Sequence, residues 1–130
     1  MIVIDASALL ELLQVTEKGI RIYGRIMQTD TGLHAPHLID LEVAQVLRKL
    51  VTLGFMEKAR AEEALLDMAS LEIHRHSHSV MLSRIWDLRH NFTAYDAAYV
   101  VLAEVLEAPL LTCDRGMSIA PGTAVKIELF

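Results

Sequence analysis

Ile2-Val3-Ile4-Asp5-Ala6-Ser7-Ala8-Leu9 is the stretch on which the fold turns. Three β-branched residues stand in a row with no polar alternation. That pattern suits a strand of a parallel sheet covered on both faces. The run stops on a carboxylate and passes within two residues into a helical segment, 7–13. A strand that feeds directly into a helix is the opening of a parallel α/β unit.

The same reading extends along the chain. Residues 17–29 form an amphipathic helix, and Leu33 to Ala35 a short strand before Pro36. Residues 39–53 read as a helix stopped by Gly54, and residues 56–69 as a second helix rich in Ala, Glu and Leu. Together they predict a helical hairpin projecting from one side. Leu71 to His74 reads as strand, 78–89 and 94–107 as helices, and Leu110 to Thr112 as strand. A short helix follows Asp114, and Val125 to Leu129 closes the sheet. Strands alternating with helices predict an α/β fold with a short parallel sheet and right-handed crossovers. No linker, repeat or low-complexity segment interrupts it, so residues 1–130 read as one domain.

Composition narrows the class. The hydrophobic fraction is 53% and the mean hydropathy is +0.36, which fits a packed protein with apolar surface to spare for a partner. No apolar run approaches the roughly 20 residues of a membrane-spanning helix, so no membrane role is expected. The N-terminus enters a strand with no basic leader, and there is a single cysteine, Cys113. Both point to a cytoplasmic setting. The net charge of −5 is the wrong sign overall for a nucleic-acid binder. Lys18, Arg21 and Arg25 nonetheless fall on one helical stripe. Such a stripe can track a phosphate backbone, though a charged stripe is ordinarily a solvated helix face.

Four carboxylates stand where an α/β chain gathers them. Asp5 ends the first strand, Glu42 lies in the first turn of a helix, Asp96 opens another, and Asp114 follows Leu110-Leu111-Thr112-Cys113. Strand ends and helix starts share one edge of a parallel sheet, the edge on which α/β active sites form. Each acid also has a local explanation. Asp5 and Asp114 can cap the helices after them, Glu42 suits a helix N-terminus, and Thr93 with Asp96 fits a capping box. As a group they are costly, because two like charges about 4 Å apart repel by roughly 4 kcal/mol at an effective dielectric near 20. Ser, Thr or Asn would cap without that cost. A hard cation, Mg²⁺ or Mn²⁺, removes it, and the four acids are therefore candidate catalytic and metal-ligating residues. Ser7 and Thr112 are placed to orient a carboxylate or donate to a phosphate, with local capping the alternative. Arg115 can contact phosphate or a partner, or form a surface salt bridge.

These segments resemble the PIN-domain ribonucleases, and specifically the VapC-type toxins of toxin–antitoxin pairs. The resemblance lies in Ile-Val-Ile-Asp-Ala-Ser-Ala-Leu at 2–9, Leu-Glu-Val-Ala-Gln-Val-Leu-Arg at 41–48, Tyr-Asp-Ala-Ala-Tyr-Val-Val-Leu-Ala at 95–103 and Leu-Leu-Thr-Cys-Asp-Arg at 110–115. Each is weak alone; four in the family's order across one chain are specific. The resemblance implies a three-layer α/β/α PIN-like fold and Mg²⁺- or Mn²⁺-dependent endoribonuclease activity that stops translation and growth. It implies that Asp5, Glu42, Asp96 and Asp114 form the acidic quartet, with Ser7 and Thr112 in the hydroxyl positions beside it. It also implies RNA as substrate, a homodimer, and a cognate VapB-type antitoxin whose tail enters the active-site groove. Asp40 departs from the pattern as a fifth acid. It should not share a face with Glu42 and reads as a cap.

Other residues are weighed against blander roles. His74, His76 and His78 share a face if extended and would suit a transition metal, but a polar strand end or surface loop is the simpler reading. His90 reads as a helix end. Cys113 reads as a small core residue, and Trp86 and Tyr99 as packed rather than stacking on bases. A phospho-accepting Mg²⁺-binding signalling module is disfavoured because Leu50 to Glu57 contains no Asp and Lys126 falls inside a strand. A catalytically inactive PIN-like binding protein is disfavoured by the intact quartet. Position 7 is Ser, against an Asp-x-Asp phosphatase. No Walker A loop or Gly-x-Gly-x-x-Gly is present.

Overall fold

Residues 1–130 are described by a computed structural model. Five parallel strands form one sheet: β1 (Ile2–Ile4), β2 (Leu33–Pro36), β3 (Ile73–His76), β4 (Leu110–Thr112) and β5 (Ile127–Leu129), in the order β3-β2-β1-β4-β5. β1 is the central strand, and all three of its residues are fully buried. Around the sheet lie α1 (Ala6–Leu13), α2 (Glu17–Ile26), α3 (Ile39–Thr52), α4 (Lys58–Ser70), α5 (Leu82–Asp87), α6 (Ala94–Leu106) and α7 (Arg115–Ile119). Right-handed crossovers put α1 to α4 on one face and α5 and α6 on the other, which gives the expected three layers. None of these helices is long and apolar enough to cross a membrane.

The chain winds outward from β1 to β3, then crosses back to β4 on the other side of β1. The reversal leaves a crevice between the C-terminal ends of β1 and β4, the place where open α/β sheets bind ligands. Register brings the two strand ends level. Ile4 pairs with Leu111, and the ladder continues one step as the Asp5 amide donates to the Leu111 carbonyl at 3.1 Å. Asp5 therefore emerges beside Thr112.

Packing holds that crevice from both faces. α6 is buried continuously from Ala97 to Ala103 and lies across β1, β2 and β4. On the opposite face α1 buries Ala8, Leu9 and Leu13. α2 returns against α1 so closely that a Cβ at Gly19 would stand 2.1 Å from the Glu11 carbonyl oxygen, so only glycine fits there. The turn between α1 and α2 places Val15 at φ 54°, a left-handed conformation costly for a β-branched residue. The α3–α4 hairpin turns at Gly54, φ 78°, and lies on α1 through Val43, Leu47, Ala61 and Ala64.

Two expected elements differ. β3 covers 73–76 rather than 71–74, because its register is fixed by β2, with Leu33 opposite Ile73 and Pro36 opposite His76. The expected helix 78–89 is a 3₁₀ turn at Ser79–Met81 followed by the six-residue α5. Met81, Ile85 and Leu88 turn inward while Val80, Leu82 and Trp86 stay exposed. The remaining boundaries shift by one to three residues at frayed ends.

Candidate active site

Asp5 is 3% exposed and fully engaged. Its Oδ1 accepts from the Ala8 amide at 2.8 Å, which caps α1, and from the Ser7 hydroxyl at 2.7 Å. Its Oδ2 accepts from the Thr112 hydroxyl at 2.5 Å. Ser7 Oγ in turn accepts from the Cys113 amide at 2.9 Å, and Thr112 Oγ1 from the Asp114 amide at 2.9 Å. Two hydroxyls thus tie the end of β1 to the end of β4. Asp114 caps α7, with Oδ1 accepting from the amides of Gly116 at 2.7 Å and Met117 at 3.4 Å. Its Oδ2 has no protein donor. Capping and clustering are therefore not alternatives here: one oxygen serves the helix and the second is left without a donor.

Glu42 and Asp96 arrive from opposite layers. Glu42, in the first turn of α3, accepts from the buried Tyr99 hydroxyl at 3.3 Å. Tyr99 lies three residues after Asp96 on α6, so a single helix face supplies one acid and the donor that orients another. Thr93 caps α6, accepting from the Asp96 amide at 3.1 Å, and leaves the Asp96 carboxylate free of that task.

No Lys or Arg forms an ion pair with any of the four acids. Burial, the largest cause, holds the Asp5 carboxyl above the usual range. Bonds from Thr112, Ala8 and Ser7 oppose it and the Asp114 charge adds to it. Burial also raises Glu42, with Asp96 and Asp5 adding to it against the Tyr99 bond. Asp96 is raised by burial and by Asp114, opposed by Thr93. The mutual repulsion shows that all four acids share one field. Tyr99 is raised by burial first and then by Glu42, so it keeps its proton and remains a donor.

The donor set fits a hard divalent ion. It is oxygen-only, acid-rich and without a protein counter-charge. No three of these side chains close on a single ion. That suits Mg²⁺ or Mn²⁺, which take one or two carboxylates and complete their shell with water and substrate oxygens.

Other expectations resolve differently. Asp40 is not a cap. It forms a bidentate pair with Arg75, at 2.8–3.0 Å, and ties α3 to β3. His74 and His76 do lie on β3, but their companion is His34 on the next strand, not His78. The His34 and His74 rings stack at 4.9 Å, and His34 Nδ1 lies 2.8 Å from His76 Nε2. Burial and the two neighbouring imidazoles lower the His34 pKa. The rings stack rather than converge, and form no three-ligand metal site. Trp86 is not packed inside. It is 67% exposed, with the Arg89 guanidinium 5.0 Å from its ring centre. Cys113 is half-buried and its thiol is raised mainly by burial, against the positive charges of Lys18 and Arg21. His90 lies beyond the end of α5. Arg115 is exposed and forms no salt bridge. A separate concavity of about 930 Å³ lies at the opposite sheet edge, between Arg84, Glu104, Pro109 and Lys126.

Comparison with known proteins agrees with this architecture. The PIN domain profile matches residues 2–122. Ribonuclease VapC1 of Mycobacterium tuberculosis is 39% identical over 129 residues, 98% of this chain and 96% of that protein. Ribonuclease VapC12 of the same organism is 35% identical over 99% of this chain and 98% of its own length. Among solved structures, PAE2754 from Pyrobaculum aerophilum superposes with a TM-score of 0.72 at 27% identity, covering 97% of this chain and 81% of that one. Mycobacterium tuberculosis VapC20, a sarcin-ricin loop cleaving toxin, shares the fold at a TM-score of 0.66 and 12% identity, covering 93% of this chain and all of that one. With a switch-point crevice of four carboxylates and full-length likeness to these ribonucleases, the chain belongs to the PIN-domain family and, within it, to the VapC group.

Proposed function

We propose that this protein is a divalent-metal-dependent endoribonuclease, the toxin of a toxin–antitoxin pair, cutting RNA phosphodiester bonds at the Asp5–Glu42–Asp96–Asp114 crevice. One observation carries the reading. Asp5, Glu42, Asp96 and Asp114 stand at one edge of the sheet with no cationic partner, and burial together with the neighbouring acids raises the proton affinity of three of them. A fold does not keep such a set for stability, since each member would be better placed alone.

Asp5, Glu42, Asp96 and Asp114 would hold Mg²⁺ or Mn²⁺. The bound ion supplies a lowered pKa for water and positive charge beside the phosphate. The chain's own residues do the remaining work. Ser7, Thr112 and the Ala8 amide fix Asp5 in one rotamer. Tyr99 fixes Glu42 from below. Asp96 and Glu42 reach the crevice half-buried and from opposite layers, and a carboxylate of this set takes the proton that the attacking water loses. The Asp114 Oδ2, free of the cap, would be left for the ion.

The family supports two partners. VapC-type toxins are named for pairs, so a cognate VapB-type antitoxin is the expected inhibitor of this site. The exposed apolar row Ile20, Tyr23 and Met27 on α2, and Phe55 and Leu66 on the α3–α4 hairpin, give such a partner or a second copy of the chain surface to cover.

Purified protein freed of any partner, incubated with total RNA in Mg²⁺, Mn²⁺ or EDTA, tests the reading. Discrete fragments that require metal and vanish in Asp96→Asn are expected. Cleavage that survives EDTA, or that Asp96→Asn retains, overturns it.

A further inference from the structure

A protein of net charge −5 with four acids at its centre repels a polyanion, so its substrate needs a route lined by available cations. The chain has 12 Lys and Arg. Six are held in ion pairs, and Arg89 lies over Trp86. Five remain free: Lys18, Arg21, Arg48, Lys49 and Arg115. A cation already neutralised by a carboxylate has little to offer a phosphate. The free ones are the candidates.

Three of the five lie on elements that adjoin the crevice: Arg115 directly after Asp114, and Lys18 and Arg21 on α2, which packs along α1. Arg25 is bound to Glu128 of β5 through two contacts, at 2.7 and 3.0 Å, which pins the last turn of α2 to the edge of the sheet. Arg21 and Lys18 lie four and seven residues earlier, about one and two turns along the same face. The charged stripe thus divides into one structural arginine and two free cations. Gly19, between Lys18 and Arg21, packs directly on Glu11 of α1, the helix that Asp5 caps. Arg115 begins α7 directly after Asp114 and is exposed.

We propose that Lys18, Arg21 and Arg115 seat the phosphates flanking the scissile bond of an RNA strand, which runs along α2 and over the start of α7. The inference rests on the nuclease reading above and adds the path of the substrate to it. The three cations position the strand by charge and leave the cleavage step to the acids. Contacts of this kind add affinity without reading bases.

The test uses Lys18→Gln, Arg21→Gln and Arg115→Gln, singly and combined, in the full chain freed of partners. Lys58→Gln, an exposed lysine on α4, is the control. Two quantities are read: kcat and KM for cleavage of a labelled RNA oligonucleotide with Mn²⁺, and the salt dependence of its binding in an Asp96→Asn background. Each single variant is expected to raise KM about fivefold. Each should also reduce the slope of log affinity against log salt by about 0.7, the value for one phosphate contact on a single strand. The triple variant should raise KM roughly a hundredfold with kcat within about twofold. Arg21→Lys should keep the slope. An unchanged KM and slope in the triple variant overturn the proposal, as does a loss confined to kcat. It is equally overturned if the triple variant handles RNA normally but no longer binds an acidic protein partner. Wild-type protein that neither binds nor cuts RNA overturns the nuclease reading, and this path with it. Normal cleavage by the wild type with unaffected variants overturns the path alone.

Discussion

Asp96 and Glu104 belong to one helix, α6, and are treated in opposite ways. Asp96 lies in its first turn, where the helix dipole favours a negative charge, yet its carboxyl is raised by burial and by Asp114. Glu104 lies near the other end, where the dipole disfavours it, yet its carboxyl is lowered. The Arg84 guanidinium holds it through two contacts at 2.9 Å, and Thr123 donates at 2.8 Å. The two ends face opposite edges of the sheet. At the Glu104 edge, which carries a groove of its own, charge is matched. At the Asp96 edge, charge is gathered and left unmatched. The comparison teaches that dipole and capping preferences do not decide where acids stand in this fold. The unmatched edge is the one that the proposed metal would occupy.

The largest contrast is expected in catalysis. Asp5→Asn or Asp96→Asn should lower RNA cleavage by about 10³-fold or more, while Arg84→Gln leaves it within about twofold. Initial rates on a labelled RNA oligonucleotide check this. Comparable losses at both edges would break the comparison.

Metal should tell the edges apart next. At a Mn²⁺ concentration about 100 times its Kd, mass action adds about 2.7 kcal/mol to the folded state. Thermal melts of wild type should rise with Mn²⁺ and those of Asp96→Asn should not. Arg84→Gln should start lower and rise by as much as wild type.

Without metal, the two edges should respond with opposite sign. Arg84→Gln leaves Glu104 without its partner and should cost about 1 kcal/mol, the partial exposure of the pair limiting the loss. Asp96→Asn removes a repelled, half-buried charge and should raise the melting temperature in EDTA. A lower melting temperature would return Asp96 to a purely structural role.

Acid should give the smallest effect. Glu104 and Glu128 have folded pKa values below their ordinary 4.5, so their stabilisation is present above pH 4.5 and is lost as pH falls through the folded values. Asp5, Glu42 and Asp96 have raised values, so the folded state takes up their protons first, and stability is gained as pH falls through that range. In metal-free wild type the gain lies above the ordinary values of 3.8 and 4.5 and the loss lies below 4.5, so the two follow one another as pH falls. Asp5→Asn with Asp96→Asn should lack most of the gain and keep the loss, as read by urea unfolding at successive pH values.

Much of this was legible from the chain. Ile2 to Ile4 and Leu110 to Thr112 are short apolar runs that end at or beside acids, and strand periodicity alone places Asp5 and Asp114 at one edge. The capping box at Thr93 places Asp96, and the Ile39 helix places Glu42. What stayed hidden depends on partners far away in sequence. Arg75 takes Asp40 across 35 residues. His34 joins His74 and His76 only because β2 and β3 pair in that register. Leu71 and Glu72 have strand-like neighbours but lie outside the ladder that β2 sets. The i, i+3 spacing of Asp96 and Tyr99 was visible, but only the approach of α3 turns Tyr99 into the donor for Glu42.

The division of labour within Asp114 has a consequence for descent. One oxygen holds α7 and the other is free, and asparagine keeps the first while replacing the second with an amide. Aspartate and asparagine codons differ by a single base. On the proposed nuclease reading, a lineage carrying this protein would lose its activity in one mutational step while the folded scaffold is inherited intact. Copies that keep the fold without cutting RNA would then lie one substitution from the active form.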